Sequence, residues 1–154
     1  MMSKIIFDTN VLVALIDKKD KFHNKAEEVY NELERIGWEI IIFDCVIDEA
    51  LNVFSRRCWE QKREEEFKSI LNKTLSFIND KNIIWVYDKV KNFYKEIINK
   101  LRETNGKLNF HDALIIISAR YYEIKYIASF DSDFDKVEGL KRIKDKNDFG
   151  EEDD

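Results

Sequence analysis

Cysteine, histidine and long apolar segments are all scarce in this sequence. The chain has two cysteines, Cys45 and Cys58, and two histidines, His23 and His111. Because the cysteines do not form a CxxC pair and few histidines could join them, the sequence predicts neither a zinc site nor a disulfide framework. No apolar run approaches the roughly 18–20 residues that span a bilayer. We therefore expect no membrane-spanning segment.

Features that would divide the chain into several units are also missing. Proline is absent, and only four of the 154 residues are glycine. The sequence contains no repeat, linker or low-complexity segment, and its length suits one domain with a hydrophobic core. Its start lacks the apolar segment of a signal peptide. We expect one domain over residues 1–145, an acidic and frayed tail over residues 146–154, and a cytoplasmic location.

Positive charge is not in excess, so charge alone does not predict a nucleic-acid-binding protein. The 26 Lys and Arg residues are outnumbered by 31 Asp and Glu residues, which gives a net charge of −5. However, the last four residues are all acidic. Acidic groups that bind metal cations also lower the net charge of a protein without repelling a polyanion. The charge therefore neither indicates nor excludes RNA.

What the sequence does contain is an alternation of short apolar segments with amphipathic ones. The short apolar segments are typical of buried strands and are residues 5–7, 39–43, 82–87, 125–130 and 140–143. Two segments with helical spacing of apolar residues follow Asp8 and Asp44, and four others cover residues 22–37, 60–79, 89–103 and 110–122. Asp44 is a candidate helix cap. This order predicts an α/β fold with a single-domain, parallel β-sheet flanked by helices on both faces. The helix over residues 110–122 is apolar nearly all round and should be deeply buried.

Acidic side chains follow two of the predicted strands. Asp8 ends the first strand, and Asp131 follows a late one as the first of three alternating aspartates. Because functional groups gather at the carboxyl ends of parallel strands, we expect both at one edge of the sheet, together with Glu49 and Asp112 from two helix starts. Such a cluster destabilises a protein unless it is paired or bound to metal. An all-oxygen set suits Mg²⁺ or Mn²⁺.

Each acid also has a structural explanation when it is taken alone. Asp8 could cap the helix that follows it, Glu49 could be a solvated helix residue, and Asp112 could complement the positive end of its helix. His111, next to Asp112, could act as a general base or serve a structural role. Only the joint arrangement of the acids favours a functional site.

Four segments resemble the sequence motifs of the PIN-domain family. They occur in family order over residues 5–134 and read IIFDTNVLVALI, VIDEALNVF, FHDALIIISA and IASFDSDFD. The first segment is similar to the family's hydrophobic strand followed by D-[TS]-[NS], and the second to an acid followed by Leu-Asn-Val. The third is similar to the motif D-A-L-I-x-x-x-A, and the fourth to [TS]-x-D-x-D-F. A lone DTN triplet carries little information, whereas the ordered set of four is specific.

The resemblance implies a metal-dependent ribonuclease, often the VapC-type toxin of a toxin–antitoxin pair. The implied catalytic and metal-binding residues are Asp8, Glu49, Asp112 and Asp131. Asn10 and Ser129 match polar residues that orient these acids, and Asp133 matches a frequent accessory acid. Asp48 is the alternative to its neighbour Glu49, although the following ALNVF favours Glu49. One or two Mg²⁺ (or Mn²⁺) ions would activate water and clamp the attacking and leaving oxygens.

A basic segment in the middle of the chain could contact RNA. Arg56, Arg57, Lys62 and Arg63 could bind the backbone of RNA, and Trp59 between them could stack on a base. Three glutamates follow at once. A solvated helix face therefore explains the segment equally well.

Aromatic residues are numerous for a monomer of this size, with eleven Phe, six Tyr and three Trp. Because aromatic residues are enriched at interfaces, some of them, such as Trp38, Trp59 or Tyr122, could line a homodimer interface. The resemblance further implies an antitoxin partner whose segment reaches the acidic pocket. Such a segment would naturally present Arg, which binds carboxylates bidentately.

Two other functions remain open on the sequence alone. The chain could be a catalytically silent scaffold of the same family that binds RNA or protein, although none of the expected acids is lost. It could also be a receiver-like phosphoacceptor domain, with Asp88 after a mid-chain strand. That class needs a lysine after a later strand, where this chain has acids.

Overall fold

Short apolar segments pair as five parallel strands in the computed structural model, which describes residues 2–151. The strands are β1 (Lys4–Phe7), β2 (Glu39–Phe43), β3 (Asn82–Ile84), β4 (Tyr126–Ala128) and β5 (Lys141–Ile143). They lie in the order β3-β2-β1-β4-β5, and every neighbouring pair is parallel. The predicted parallel α/β sheet is therefore confirmed. Since β1 is central, its carboxyl end lies in the middle of one sheet edge.

Six α-helices lie within the described residues. They are α1 (Thr9–Ile16), α2 (His23–Ile36), α3 (Asp44–Glu60), α4 (Phe67–Asn79), α5 (Val90–Glu103) and α6 (Phe110–Tyr121). Consecutive residues of β1, Ile5, Ile6 and Phe7, are all fully buried. Because successive residues of a strand face opposite sides, both faces of the sheet are covered.

The helix predicted over residues 60–79 begins only at Phe67, because the chain turns sharply near the predicted start. Lys62, between α3 and α4, has a left-handed backbone with a φ of 56°. The turn carries the next residue, Arg63, into the interior, where it is 7% exposed and hydrogen-bonded to Asp17. Apolar periodicity cannot reveal such a turn, since the partner that holds it lies in a distant segment.

Asp44 secures the end of the edge strand and does not cap α3 with its side chain as predicted. Its carboxylate accepts hydrogen bonds from the backbone N–H groups of Val86 (2.6 Å) and Tyr87 (3.1 Å). These bonds hold the chain after β3 in a short 3-10 helix. The predicted strand over residues 82–87 therefore ends at Ile84.

Residues 146–151, predicted to belong to a frayed tail, form a 3-10 helix. Asp148 accepts hydrogen bonds from two backbone N–H groups, at 2.8 and 3.0 Å. The ring of Phe149 packs edge-on against Trp38 with a centroid distance of 5.4 Å. This part of the predicted tail is thus folded against the domain, and residues 152–154 lie outside the described residues.

The apolar helix α6 is deeply buried, as predicted. Its residues from Ala113 to Ala119 are all buried, and the helix has 12 residues. In the part of the chain that the structure describes, no helix is long and apolar enough to cross a membrane.

Candidate active site

A cavity of about 510 Å³ opens at the carboxyl edge of the two central strands. Phe7 of β1 pairs with Ala128 of β4, so the residues that follow each strand lie side by side. The acids of the cavity wall are Asp8, Glu49, Glu60, Asp112 and Asp131. The structure thus brings all four predicted acids to one cavity from four separate segments.

Asp8 is at once a helix cap and the most buried acid of this cavity. Its residue is 5% exposed, and its Oδ1 accepts a hydrogen bond from the Thr9 backbone N–H at the start of α1 (2.8 Å). Its Oδ2 accepts from the Ser129 hydroxyl (2.6 Å) and the Asn10 amide (3.3 Å). Burial raises the pKa of the Asp8 carboxyl, and the hydrogen bonds offset this only in part.

Asn10 and Ser129 join the first and last motifs of the chain around Asp8. The Asn10 Oδ1 accepts the Phe130 backbone N–H (3.0 Å), while its Nδ2 lies 3.4 Å from the Ser129 hydroxyl. The same hydroxyl accepts the Asp131 backbone N–H (3.0 Å). Both residues predicted to orient the acids therefore contact Asp8, and they also fix the start of the segment that carries Asp131.

Asp112 lies in the first turn of α6, where Asn109 caps the helix. The Asn109 Oδ1 accepts the Asp112 backbone N–H at 2.8 Å. Burial, followed by the charge of Asp8, raises the pKa of the Asp112 carboxyl to about 6, and Asp131 adds to the effect. Asp8 and Asp131 are therefore close enough to oppose the ionisation of Asp112.

Glu49 occupies a more open wall of the cavity, beside His111. The His111 Nε2 lies 3.2 Å from the Glu49 carboxylate and 3.2 Å from the Cys45 carbonyl oxygen. The Glu49 side chain is 45% exposed. Its neighbour Asp48 instead accepts a hydrogen bond from the Tyr87 hydroxyl (2.7 Å) and does not line the cavity. Of the two adjacent acids, Glu49 therefore lines the cavity and Asp48 does not.

The three alternating aspartates after β4 have three different surroundings. Asp131 lines the cavity, and its Oδ1 accepts the Asp133 backbone N–H (2.9 Å). The Asp133 carboxylate lies 3.6 Å from Lys107 and lines a separate cavity, so the structure does not support its predicted role as an accessory acid. Asp135 accepts two hydrogen bonds from Arg142, which lower its pKa.

The donor set suits a divalent cation. Among residues 2–151, no three His, Cys, Asp or Glu side chains are already arranged to hold a metal ion. However, after burial, the charge of Asp131 helps to raise the pKa of both Asp8 and Asp112, and none of the three acids forms an ion pair with Lys or Arg within the described part of the chain. Carboxylates that crowd together without a basic partner are the ligands that Mg²⁺ and Mn²⁺ prefer.

The basic segment predicted to contact RNA is largely engaged inside the protein. Arg63 is buried and pairs with Asp17 and Glu66, each at 3.0 Å, so the structure does not support an RNA contact by Arg63. Arg57 pairs with Asp17 (3.2 Å) and Asp20 (2.8 Å) while lining the acidic cavity. The exposed Arg56 also lines the cavity, and Lys62 lies on the surface.

Two features of the site were not predicted from the sequence. Asn109 lines the cavity and caps α6, and its signal is an Asn three residues before Asp112 at the start of an apolar helix. The contact between His111 and Glu49 has no such signal, because it joins side chains from α6 and α3 that are distant in the chain.

The family model for the PIN domain matches residues 5–140 of the chain. The chain belongs to the PIN domain family. This PIN domain is 28% identical to ribonuclease VapC6 of Methanocaldococcus jannaschii over 92% of the chain and 97% of the relative. It is 30% identical to ribonuclease VapC2 of the same organism, over 92% of the chain and 94% of the relative.

The same fold occurs in VapC20 of Mycobacterium tuberculosis, a toxin that cleaves the sarcin-ricin loop. The two structures superpose with a TM-score of 0.66 at 18% sequence identity, over 89% of this chain and 97% of that chain. The resemblance drawn from the four motifs is therefore confirmed. The receiver-like alternative is wrong, and Asp88 lies exposed on a 3-10 helix.

Proposed function

We propose that this PIN domain is a metal-dependent endoribonuclease that hydrolyses RNA phosphodiester bonds. The observation that carries the proposal is the meeting of Asp8, Asp112 and Asp131 at one cavity, where the pKa values of Asp8 and Asp112 are raised and no Lys or Arg of the described residues forms an ion pair with any of the three. The ribonuclease names of its relatives, which match over most of their length, support the same activity.

Each polar group of the cavity has a defined task in this proposal. A bound Mg²⁺ or Mn²⁺ would lower the pKa of water and stabilise the attacking and leaving oxygens. Asp8 and Asp112 would hold the principal ion, while Glu49 and Asp131 would hold a second ion or orient water. Ser129 and Asn10 fix the carboxylate of Asp8, as groups behind metal ligands commonly do. His111 holds Glu49 in the same way.

An RNA cleavage assay with a matched pair of variants tests this proposal. We expect cleavage of RNA with Mg²⁺ or Mn²⁺ and none with EDTA. Asp112→Asn should lower the rate by at least about 100-fold, because a metal ligand is lost. Asp135→Asn, which removes an acid outside the cavity, should leave the rate unchanged. RNA binding by a folded wild-type protein without cleavage would support the silent scaffold instead.

We further propose that the protein is a toxin that an antitoxin inhibits, and that it forms a homodimer in the cytoplasm. The toxin description of VapC20 and the open acidic cavity support this role. A guanidinium group from the partner would pair with the crowded carboxylates and compete with Mg²⁺. An Arg-bearing peptide from a small protein encoded by a neighbouring gene tests the idea. The peptide should inhibit cleavage, and excess Mg²⁺ should weaken this inhibition.

The burial of Trp38, Trp59 and Tyr122 reduces the number of these residues that are available for a dimer interface. Trp38 and Tyr122 are partly buried and pack against the core of their own chain. Trp59, near the end of α3, is 69% exposed. Trp59 is therefore the interface residue that we retain of the three.

A further inference from the structure

Helix α3 contributes one wall of the acidic cavity. The residues of this helix that line the cavity are Glu49, Val53, Arg56, Arg57 and Glu60, and their spacing of three and four residues places them on one side of the helix. In total, five acids line the cavity, against two arginines. Because RNA is a polyanion, a strand that crosses this cavity is repelled unless positive groups offset the acids. The two arginines of α3 are the protein groups that could do so.

Two carboxylates that do not line the cavity hold Arg57 in place. The Nη1 of Arg57 lies 3.2 Å from the Oδ2 of Asp17 and 2.8 Å from the Oδ2 of Asp20. The side chains of these two acids are 3% and 8% exposed, whereas the Arg57 side chain is 30% exposed. Asp17 is itself fixed by two hydrogen bonds from the buried Arg63. The guanidinium of Arg57 therefore keeps its place without a ligand.

These ion pairs leave one edge of the Arg57 guanidinium unused. Both pairs involve Nη1, and within residues 2–151 neither Nε nor Nη2 of Arg57 donates a hydrogen bond. The N–H groups of Nε and Nη2 point in parallel, and this fork binds two oxygens of a phosphate or carboxylate. In Arg63 and Arg142, by contrast, both of these nitrogens donate to a carboxylate of the same chain. Arg57 thus combines a fixed guanidinium with a free fork.

The partners of Arg57 also explain why it does not neutralise the acids of the cavity. A guanidinium that is free to move beside crowded carboxylates would pair with them and compete with a metal ion. In the part of the chain that the structure describes, Arg57 pairs only with Asp17 and Asp20. The exposed Arg56 makes no ion pair there, so no contact fixes its direction. Of the two arginines, Arg57 is therefore the one with a defined orientation.

We propose that the Nε and Nη2 groups of Arg57 bind two non-bridging oxygens of one RNA phosphate, and that Asp17 and Asp20 hold the guanidinium for this contact. The inference rests on the proposed ribonuclease function and adds to it a phosphate contact that needs no metal ion. Of the basic residues that the sequence suggested as RNA contacts, Arg57 alone has this bidentate role. A lysine at the same position keeps the charge but presents no fork.

RNA binding without metal tests this contact independently of cleavage. In EDTA, the anisotropy of a short labelled RNA measures the affinity of wild type, Arg57→Lys, Arg57→Gln and Arg102→Lys over a series of salt concentrations. Arg57→Lys should weaken binding by about 3- to 30-fold, because the charge remains but the fork is lost. Arg57→Gln should weaken it further and reduce the slope of log affinity against log salt by about 0.7, since one phosphate contact is lost. Arg102→Lys is the matched control and should bind like wild type, because Arg102 lies exposed on α5 outside the cavity and, within the described residues, also leaves Nε and Nη2 unused.

The outcomes distinguish this inference from the proposed function. If wild-type protein cleaves RNA with Mg²⁺ but both Arg57 variants bind RNA like wild type, the phosphate contact is wrong and the ribonuclease stands. If Arg57→Gln lowers both the affinity and the salt slope but wild-type protein never cleaves, the contact stands and the ribonuclease is wrong. Failure of wild-type protein to bind RNA in EDTA, or a lower affinity with an unchanged salt slope in Arg57→Gln, also overturns the contact. Thermal melting checks that each variant is folded, and Asp20→Asn, which keeps Arg57 but removes one of its two partners, should weaken binding less than Arg57→Gln does.

Discussion

Arg63 forms a two-pronged ion pair with Asp17, a residue 46 positions earlier in the chain. The two hydrogen bonds measure 3.0 and 3.3 Å, and both side chains are almost fully buried. This pair joins the turn after α3 to the segment after α1, whose Asp17 and Asp20 also pair with Arg57 of the cavity wall. Arg63, which the sequence suggested as an RNA contact, thus has a structural role inside the protein.

Removing one member of this pair should strongly destabilise the protein. Arg63→Met leaves the Asp17 carboxylate buried without its main partner, which we expect to cost about 3–5 kcal/mol of unfolding free energy. Arg56→Met, at an exposed position in the same segment, should change it by less than about 0.5 kcal/mol. Urea denaturation at neutral pH measures both variants, and equal values for them would contradict a structural role for the pair.

The same pair predicts a specific dependence of stability on pH. Burial alone would raise the pKa of Asp17, but the hydrogen bonds and charge of Arg63 and the bond from Arg57 outweigh it, so the pKa lies below its ordinary value of 3.8. A lowered pKa stabilises the folded state above 3.8, and that contribution is lost as the pH falls through the folded-state value. Stability measured between about pH 6 and pH 2 should fall less steeply in Asp17→Asn than in wild type.

The pKa of Asp112 is shifted in the opposite direction, so this residue predicts the opposite dependence of stability on pH. Its folded-state pKa of about 6 exceeds the ordinary 3.8, so its charge destabilises the metal-free protein above about pH 6, and the penalty vanishes below 3.8. Asp112→Asn in EDTA should therefore raise the melting temperature at roughly pH 8 and leave it nearly unchanged at roughly pH 3.5. Added Mg²⁺ should raise the melting temperature of wild type only. Stabilisation of both proteins by Mg²⁺ would place the ion elsewhere.

Asp8→Asn should abolish cleavage without the gain in stability expected for Asp112→Asn. Both oxygens of Asp8 accept hydrogen bonds, from Thr9, Ser129 and Asn10. An amide replaces one acceptor with a donor that faces other donors, and this loss opposes the relief of charge repulsion. Melting curves in EDTA compare the two variants, and a larger gain for Asp8→Asn would show that its hydrogen bonds contribute little.

Ser129→Ala tests the hydroxyl that joins Asp8 to the segment of Asp131. We expect cleavage to fall about 10- to 100-fold, because the carboxylate of Asp8 loses its shortest hydrogen bond. Stability should fall by about 1–3 kcal/mol, since the buried Asp8 Oδ2 loses its shorter hydrogen bond and the Asp131 backbone N–H loses its acceptor. Ser132→Ala, three residues on and exposed, is the control and should behave like wild type.

Glu49→Gln and Asp48→Asn separate two adjacent acids of α3. Glu49 lines the cavity and contacts His111, whereas Asp48 accepts a hydrogen bond from Tyr87 outside it. We expect Glu49→Gln to lower the cleavage rate about 10- to 100-fold, and Asp48→Asn to leave it unchanged. A larger loss for Asp48→Asn would reverse the assignment.

Much of the architecture could be predicted from local pattern. Short β-branched apolar runs separated by amphipathic segments specify a buried parallel sheet, because only that arrangement hides strands that are apolar on both faces. The same topology places Asp8 and Asp131 at one edge, since parallel strands end together. The motifs around them were sufficient to indicate the family.

Only the tertiary structure decided which charged residues serve the cavity. Asp131, Asp133 and Asp135 alternate along the chain and look equivalent, yet their partners differ because Lys107 and Arg142 come from other elements. Arg63 belongs to a basic segment of the sequence, but it is buried in an ion pair with Asp17. Charge pattern records which groups a segment carries, whereas the partner of each group depends on segments that only folding brings near. The sequence pattern therefore indicated an acidic site, whereas long-range ion pairs determined which of the charged side chains line it.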